Sequence, residues 1–200
     1  MRLIPFAIPP LLLAATAAVA ATVGQPAPAL VARDIAGKPV DLAALKGKTV
    51  VLEWNNPGCP FVQKHYGSGN MQKTQAAAAK AGVVWLTVNS SAPGKQGAMT
   101  PAEAAAFVKG EKATPAAYIL DPKGTIGHSF DAKTTPGMYV IDAKGTLVYE
   151  GAIDDKPTSD KADIAGAKNL VLAALADVKA GRPVATPRTR SYGCSVKYAS

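Results

Sequence analysis

The sequence predicts an α/β protein, a three-layer α/β/α sandwich with a mixed central sheet. Two apolar, β-branched segments at 49–54 and 83–88 are predicted strands, and helical segments alternate with the early strands, an order typical of buried parallel pairing. Later strands over 137–142 and 146–151 are separated only by a short turn. They should therefore form a hairpin that adds antiparallel pairs to the sheet.

The first residues predict a secretory signal. MRLIPFAIPPLLLAATAAVAA has one early cation, Arg2, then an apolar run, then small residues, and we expect cleavage after Ala20 or Ala21. An uncleaved membrane anchor is the alternative. No later stretch is long and apolar enough to cross a bilayer, so no stable membrane insertion is expected once the signal is removed. The sequence thus predicts export.

After the signal (1–21), the composition predicts one globular domain over 22–181 and an extended tail over 182–200. The chain is 48% hydrophobic and 18% charged, which is typical of a globular protein. Its net charge is +8, but the basic residues are scattered without interleaved aromatics, so nucleic acid is not an expected partner. Neither a C-x-x-C nor an H-x-x-x-H pair is present, so no metal site and no cofactor are predicted.

Turn residues and caps predict the remaining elements. Pro60 suits the first helical position, because its missing N–H costs nothing there. Thr100 and Glu103 form a predicted capping box. In chain order we expect a hairpin-like lead-in before residue 49, a helix from Pro60 to about Ala81 interrupted near Gly67-Ser68-Gly69, a helix over 101–109, a strand over 116–120, a short helix or turn over 124–131 and a long helix over about 160–180.

The stretch WNNPGCPFVQKHY places one of only two cysteines at a strand–turn–helix junction. Cys59 would lie at the helix N-terminus, where unpaired backbone N–H groups and the helix dipole favour an anion. Thiolate is therefore stabilised relative to thiol, and thiolate is the nucleophile. We predict a reactive Cys59; an inert or structural cysteine is the alternative.

The other cysteine, Cys194, lies in the tail. A second thiol three residues after Cys59 would resolve a mixed disulfide locally, but that position holds Val62. Any intramolecular resolving thiol must therefore be Cys194. A link between the two cysteines could be a redox couple or a static bridge, and closing so long a loop could stabilise the fold by about 4–5 kcal/mol. The sequence leaves open whether the link forms and which of these it is.

Two further positions could serve thiol chemistry. Glu53 lies in an otherwise apolar strand, and if it is buried beneath the helix start it could shuttle a proton during thiol exchange. A solvent-facing glutamate at a strand edge is the alternative. Thr135-Pro136 opens a later strand, and a cis proline there would leave the preceding backbone free to pair with an extended substrate facing the cysteine. An ordinary trans proline at a strand start is the alternative.

The sequence resembles thioredoxin-fold redoxins of the alkyl hydroperoxide reductase/thiol-specific antioxidant class, as found in exported bacterial proteins. The similarity runs from about Val23 to Ala180 and is carried by VVLEWNNPGCPFVQKHY, by TTPGMYVIDAKGTLVYEGAIDD and by the order of elements. The ending YGCSVKY is similar to that of a peroxiredoxin-like subgroup. The resemblance implies a thioredoxin-like sandwich, a thiol site at Cys59, a cis-proline at Pro136 facing it and a buried acid at Glu53. It also implies that the exported protein lies in a bacterial periplasm.

The sequence departs from both patterns known in that class. Thioredoxin-like oxidoreductases carry C-x-x-C, whereas Val62 stands here in place of the second cysteine. Peroxiredoxins carry a threonine three residues before the peroxidatic cysteine and a proline seven before, whereas Asn56 and Leu52 occupy those positions. Neither mechanism transfers intact, although Asn56 could still donate a hydrogen bond to a peroxide oxygen.

The function that the sequence predicts is an exported thiol-based oxidoreductase with antioxidant activity. Cys59 would attack a disulfide or a peroxide, and Cys194 or an external thiol donor would resolve the intermediate. Asn56, Pro60 and Thr135-Pro136 would contact the substrate. The alternative is a non-catalytic thioredoxin-fold module that binds a partner protein or ligand.

Overall fold

The computed structural model describes residues 21–199. The predicted signal and its cleavage site therefore lie outside the described residues, apart from Ala21. Within the described part of the chain, no helix is long and apolar enough to span a membrane.

The architecture is a five-stranded mixed sheet covered by helices on both faces. The elements are β1 Val31–Arg33, β2 Pro39–Asp41, β3 Val50–Trp54, α1 Pro60–Gly67, α2 Asn70–Lys80, β4 Val84–Asn89, α3 Pro101–Gly110, β5 Ala117–Leu120, α4 Thr125–Ser129, β6 Thr134–Thr135, β7 Gly137–Ile141, β8 Leu147–Gly151, α5 Leu170–Lys179 and β9 Cys194–Ser195. The strand order in the central sheet is β5-β4-β3-β7-β8. Strands β3, β4 and β5 are parallel, and β7 and β8 run antiparallel to their neighbours. The predicted fold class, a thioredoxin-like sandwich with a mixed sheet, is confirmed.

Strand β3 lies at the centre of the sheet and is buried along its whole length. Because side chains alternate across a strand, Leu52 and Trp54 join one apolar cluster while Val51 joins the other. The first cluster packs under α4 and the lead-in hairpin of β1 and β2; the second packs under α1, α2, α3 and α5. Glu53 has the same parity as Val51, so it points to the face that carries Cys59.

The predicted long helix over 160–180 is wrong. A 3₁₀ segment Lys161–Gly166 and helix α5 are separated by extended chain. The interruption has a local cause: the Asn169 side chain accepts from the backbone N–H of Leu172 and starts α5 afresh, while the N–H of Leu170 bonds to the Ile153 carbonyl at 2.9 Å. The other predicted helices are present, including the break between α1 and α2 and the capping box of α3.

The C-terminal tail lies along the body of the protein. Its strand β9 pairs antiparallel with β6, in the register Thr135↔Cys194. Further backbone bonds fix the tail on both sides of this pair: Thr189 N–H to the Glu150 carbonyl at 3.1 Å, and Val196 N–H to the Lys133 carbonyl at 3.0 Å. This two-strand sheet was not predicted, because neither strand carries a recognisable alternation in so short a length.

Candidate active site

Cys59 occupies the N-cap position of α1, after a turn that its neighbours build. The Cys59 N–H bonds to the Asn56 carbonyl at 2.9 Å, and the Asn56 side-chain oxygen accepts from the Gly58 N–H at 2.9 Å. The Asn56 amide nitrogen donates to the Gln96 carbonyl at 3.1 Å. Both ends of the Asn56 amide are thus engaged with backbone, and in this state the residue fixes the turn. Pro60 is exposed at the first helical position.

The cis-proline loop lies directly against the Cys59 sulfur. The peptide bond between Thr135 and Pro136 is cis, and the Cys59 thiol donates to the Thr135 carbonyl at 3.1 Å. The Thr135 hydroxyl is buried and has no hydrogen-bond partner among the described residues. Once Cys59 is ionised it no longer donates, and the Thr135 hydroxyl is then free to donate to the thiolate.

The tail brings the second cysteine to the same place. Because Cys194 is paired across from Thr135, its side chain packs against the cluster that contains Cys59, and the two thiols interact. Both cysteines are free thiols in this structure. Gly193 permits the close approach: its φ is +126°, and an added Cβ would lie 2.1 Å from the Thr135 carbonyl oxygen.

The environments of the two thiols move their pKa values apart. Burial alone would raise the pKa of Cys59, but hydrogen bonding by the Cys194 thiol, by Thr135 and by the backbone N–H of Val62 outweighs it, and the net pKa is lowered. The pKa of Cys194 is raised to about 11, first by burial and then by its interaction with Cys59. The Val62 contribution is the helix-terminus effect that the sequence predicted. Of the two, Cys59 is the thiol that ionises first.

The burial of Cys59 is a feature that its position at a helix start did not predict. Its relative exposure is 0%, whereas Cys194 is partly exposed. The sulfur is nevertheless in polar contact, with a carbonyl, a backbone N–H and a second thiol. The tail strand packs against it through Cys194, so we expect access to Cys59 to depend on where the tail lies.

Glu53 is fully buried on the same face of the sheet and accepts hydrogen bonds from several side chains. The donors are Tyr66 at 2.7 Å, Trp85 at 2.9 Å, Asn55 at 3.0 Å, Thr87 at 3.2 Å and Gln75 at 3.4 Å. Burial is the first cause, and the Glu53 carboxylate the second, that holds the pKa of Tyr66 well above its ordinary value. These contacts tie β3 and β4 to α1 and α2, and none of them joins Glu53 to the Cys59 sulfur. Glu53 is therefore a buried acid whose hydrogen bonds connect strands and helices of the fold.

A buried polar cluster holds the tail just before Cys194. We call Lys64, His65, Asp154 and Tyr192 the tail anchor. The Tyr192 hydroxyl donates to Asp154 and contacts His65 Nε2 at 3.1 Å. Lys64 lies 3.6 Å from Asp154 and donates to the Lys156 carbonyl at 2.8 Å.

Charge in the tail anchor is compensated inside the protein. Lys64, His65 and Asp154 are all buried. Burial lowers the pKa of His65 to about 4, an effect that Asp154 opposes and Lys64 reinforces. His65 is therefore neutral at pH 7, and the Lys64–Asp154 pair supplies the opposed charges. Tyr192 is the member of the anchor that lies on the tail, two residues before Cys194. The anchor therefore also fixes the position of Cys194.

The chain is similar in sequence to a known protein family. The profile of the AhpC/TSA family matches residues 23–150. The chain belongs to the AhpC/TSA family. The matched range of this thioredoxin-fold redoxin includes Cys59 and Pro136 but ends before Cys194, so the family match does not extend to the tail. Among curated proteins, no sequence matches the chain significantly.

Solved structures share the fold of this AhpC/TSA member. A hypothetical protein from Sinorhizobium meliloti 1021 is 24% identical, with a TM-score of 0.75, covering 91% of this chain and 97% of the other. An uncharacterized conserved protein from Geobacillus kaustophilus is 24% identical, with a TM-score of 0.74 and coverage of 89% and 93%. A secreted disulfide oxidoreductase from Mycobacterium tuberculosis, homologous to E. coli DsbE, is 22% identical, with a TM-score of 0.51 and coverage of 68% and 92%.

The structure of this redoxin brings together only part of the predicted site. Cys59, Thr135, Pro136 and Cys194 meet; Asn56 and Pro60 border them, and Glu53 lies deeper with its own partners. The tail anchor was missed, because a lysine and a histidine on α1, a loop aspartate and a tail tyrosine share no sequence spacing. The one available signal was that Lys64 and His65 lie within a helix between two core residues, Val62 and Tyr66.

Proposed function

We propose that this redoxin is an exported thiol–disulfide oxidoreductase whose redox pair is Cys59 and Cys194. The observation that carries the proposal is the β6–β9 register, which sets Cys194 opposite Thr135 while Thr135 accepts from the Cys59 thiol at 3.1 Å. The second thiol that C-x-x-C would supply from the next helical turn comes instead from the tail. Family membership supports thiol chemistry in general, and the predicted leader supports export.

The chemistry follows from the two thiols. When Cys59 and Cys194 lose two electrons and two protons to an external disulfide, a Cys59–Cys194 disulfide forms and two external thiols are released. The reverse reaction oxidises external thiols. Thr135 and the Val62 N–H would hold the Cys59 thiolate in place in either direction, since both are positioned at its sulfur in the dithiol state.

A peroxide is the second candidate oxidant, favoured by the same contact between the thiols. Attack of the Cys59 thiolate on an O–O bond would give a sulfenic acid and release an alcohol or water, and condensation with Cys194 would give the same disulfide and water. The amide of Asn56 is engaged with backbone and offers no free donor to a peroxide oxygen in this state, which favours the disulfide reaction.

The test is the product of oxidation. Reduced protein is treated with oxidised glutathione or with hydrogen peroxide, and thiol titration and intact mass are followed. We expect oxidised glutathione to remove both thiols without leaving an adduct, whereas the Cys194→Ser variant should retain one glutathione. A fast reaction with peroxide alone would select the peroxidase. If wild type and Cys194→Ser give the same adduct, the redox pair is refuted, and no reaction with either oxidant would leave a binding module.

A further inference from the structure

The two sulfurs of the proposed pair differ sharply in their access to solvent. Cys59 has 0% relative exposure and lies beneath the tail, whereas Cys194 is partly exposed on strand β9. Strand β9 pairs only with β6 among the described strands, so its outer edge has no strand beside it. While strand β9 is paired with β6, an external molecule reaches Cys194 before it reaches Cys59.

From this geometry we infer that external thiols enter the pair at Cys194, and that the protein acts as a disulfide donor to a thiol-bearing partner. The inference rests on the proposed Cys59–Cys194 pair and goes beyond it, because it names the entry sulfur and the substrate class. It reverses the order expected from the sequence, in which Cys59 makes the first contact with the substrate.

A cavity beside the tail offers room for the partner. Its volume is about 740 Å³, and its lining includes Asp155, Leu170, Tyr192 and Gly193, the residue before Cys194. Cavities of several hundred Å³ accommodate small-molecule ligands. A glutathione-sized thiol or a short cysteine-containing peptide could therefore occupy the cavity next to Gly193, one residue from Cys194, without displacing the tail.

Reduction of the Cys59–Cys194 disulfide takes two thiol–disulfide exchanges. An external thiolate attacks the Cys194 sulfur of the disulfide; a new S–S bond forms to Cys194, the Cys59–Cys194 bond breaks, and Cys59 leaves with the electron pair. A second external thiolate then attacks the partner sulfur of the mixed disulfide, which forms the external disulfide and releases Cys194, which takes up a proton. Two external thiols are oxidised to a disulfide, and the Cys59–Cys194 disulfide is reduced to two thiols. A different external disulfide then re-forms the Cys59–Cys194 disulfide.

The leaving group supports the same direction. A thiol with a lower pKa leaves faster in thiol–disulfide exchange. Departure of Cys59 is favoured because Thr135 and the backbone N–H of Val62 stabilise its thiolate, and both remain when Cys194 is in the mixed disulfide, whereas attack on Cys59 would have to expel Cys194, whose pKa is raised, first by burial. Access and leaving-group stability therefore both select Cys194 as the sulfur that is attacked.

The experiment locates the mixed disulfide. Protein carrying the Cys59–Cys194 disulfide is mixed with a large excess of reduced glutathione, quenched in acid within the reaction time, alkylated and digested, and the glutathione adduct is assigned by mass spectrometry. The Cys59→Ser and Cys194→Ser variants, each loaded with glutathione, serve as matched standards for detecting the two adduct-bearing peptides. We expect the adduct on Cys194 to exceed that on Cys59 at least tenfold.

The failures can be told apart. If no intramolecular disulfide forms at the start, the proposed function fails. If the disulfide forms and is reduced, but the adduct is found mainly on Cys59, equally on both cysteines or on neither peptide, this inference alone is overturned.

Discussion

Covering of Cys59 by the tail can be tested at one glycine. In Gly193→Ala, the new Cβ would lie 2.1 Å from the Thr135 carbonyl oxygen and 2.8 Å from its carbon, whereas real Cβ atoms essentially never come closer than 3.0 Å to another heavy atom. The clash is with backbone, which cannot rotate away. Strand β9 must therefore withdraw from β6, and Cys59 should become accessible.

The size of the effect follows from what the strand loses. A non-glycine residue held at the φ of +126° costs of the order of 1–3 kcal/mol. Each backbone hydrogen bond lost with the pair contributes about 0.5–1.5 kcal/mol. A shift of about 2 kcal/mol in the opening equilibrium raises the open population about 30-fold.

The assay is alkylation of Cys59 by iodoacetamide under native conditions, in a Cys194→Ser background so that one thiol reports. We expect Gly193→Ala to react about 30-fold faster than its parent, in proportion to the open population. Gly181→Ala is the matched control, because Gly181 also has a positive φ of +67° but an added Cβ would meet nothing within 4 Å. Equal alkylation rates for Gly193→Ala and the parent would refute the claim that the tail covers the sulfur.

Three further predictions concern buried polar groups. In Glu53→Gln, the side-chain NH₂ group would face the hydrogen-bond donors that now bind the carboxylate. The free energy of unfolding should therefore fall by about 1–3 kcal/mol in urea titrations. An unchanged midpoint would contradict the set of hydrogen bonds to Glu53. Lys64→Met leaves the buried Asp154 uncompensated and should cost about 3–5 kcal/mol, most of it recovered in the double variant with Asp154→Leu; no recovery would argue against the pair. His65, whose pKa falls from its ordinary 6.5 to about 4, binds more protons unfolded than folded between these values. Stability should therefore be complete above pH 6.5 and fall by up to about 3 kcal/mol as the pH drops to 4. His65→Gln should flatten this slope while the exposed His128→Gln should not, and equal slopes in both would sink the assignment.

Much of the fold could be predicted because its signals are local. Strand β3 is an unbroken apolar and β-branched run apart from Glu53, α1 begins at Pro60 after a turn cluster, and the capping box at Thr100 starts α3. The same reasoning failed over 160–180, where apolar spacing suggested one helix. There the competing interactions are partly tertiary, since the bond from Leu170 to Ile153 and the bridge from Asp154 to Asn169 hold the chain extended.

By itself, the sequence determined the order of the central strands and of the helices before residue 130, the position of Cys59 at a helix start and the absence of a second thiol at Val62, because these depend on residues a few positions apart. Only the tertiary structure decided that Cys194 lies against Cys59 across the Thr135 backbone, and that the Cys59 sulfur is buried. That arrangement depends on the glycine at 193, on a pairing of two-residue strands and on an anchor drawn from a helix, a loop and the tail. Such contacts leave no periodic pattern, because the residues that make them are brought together only when the chain folds.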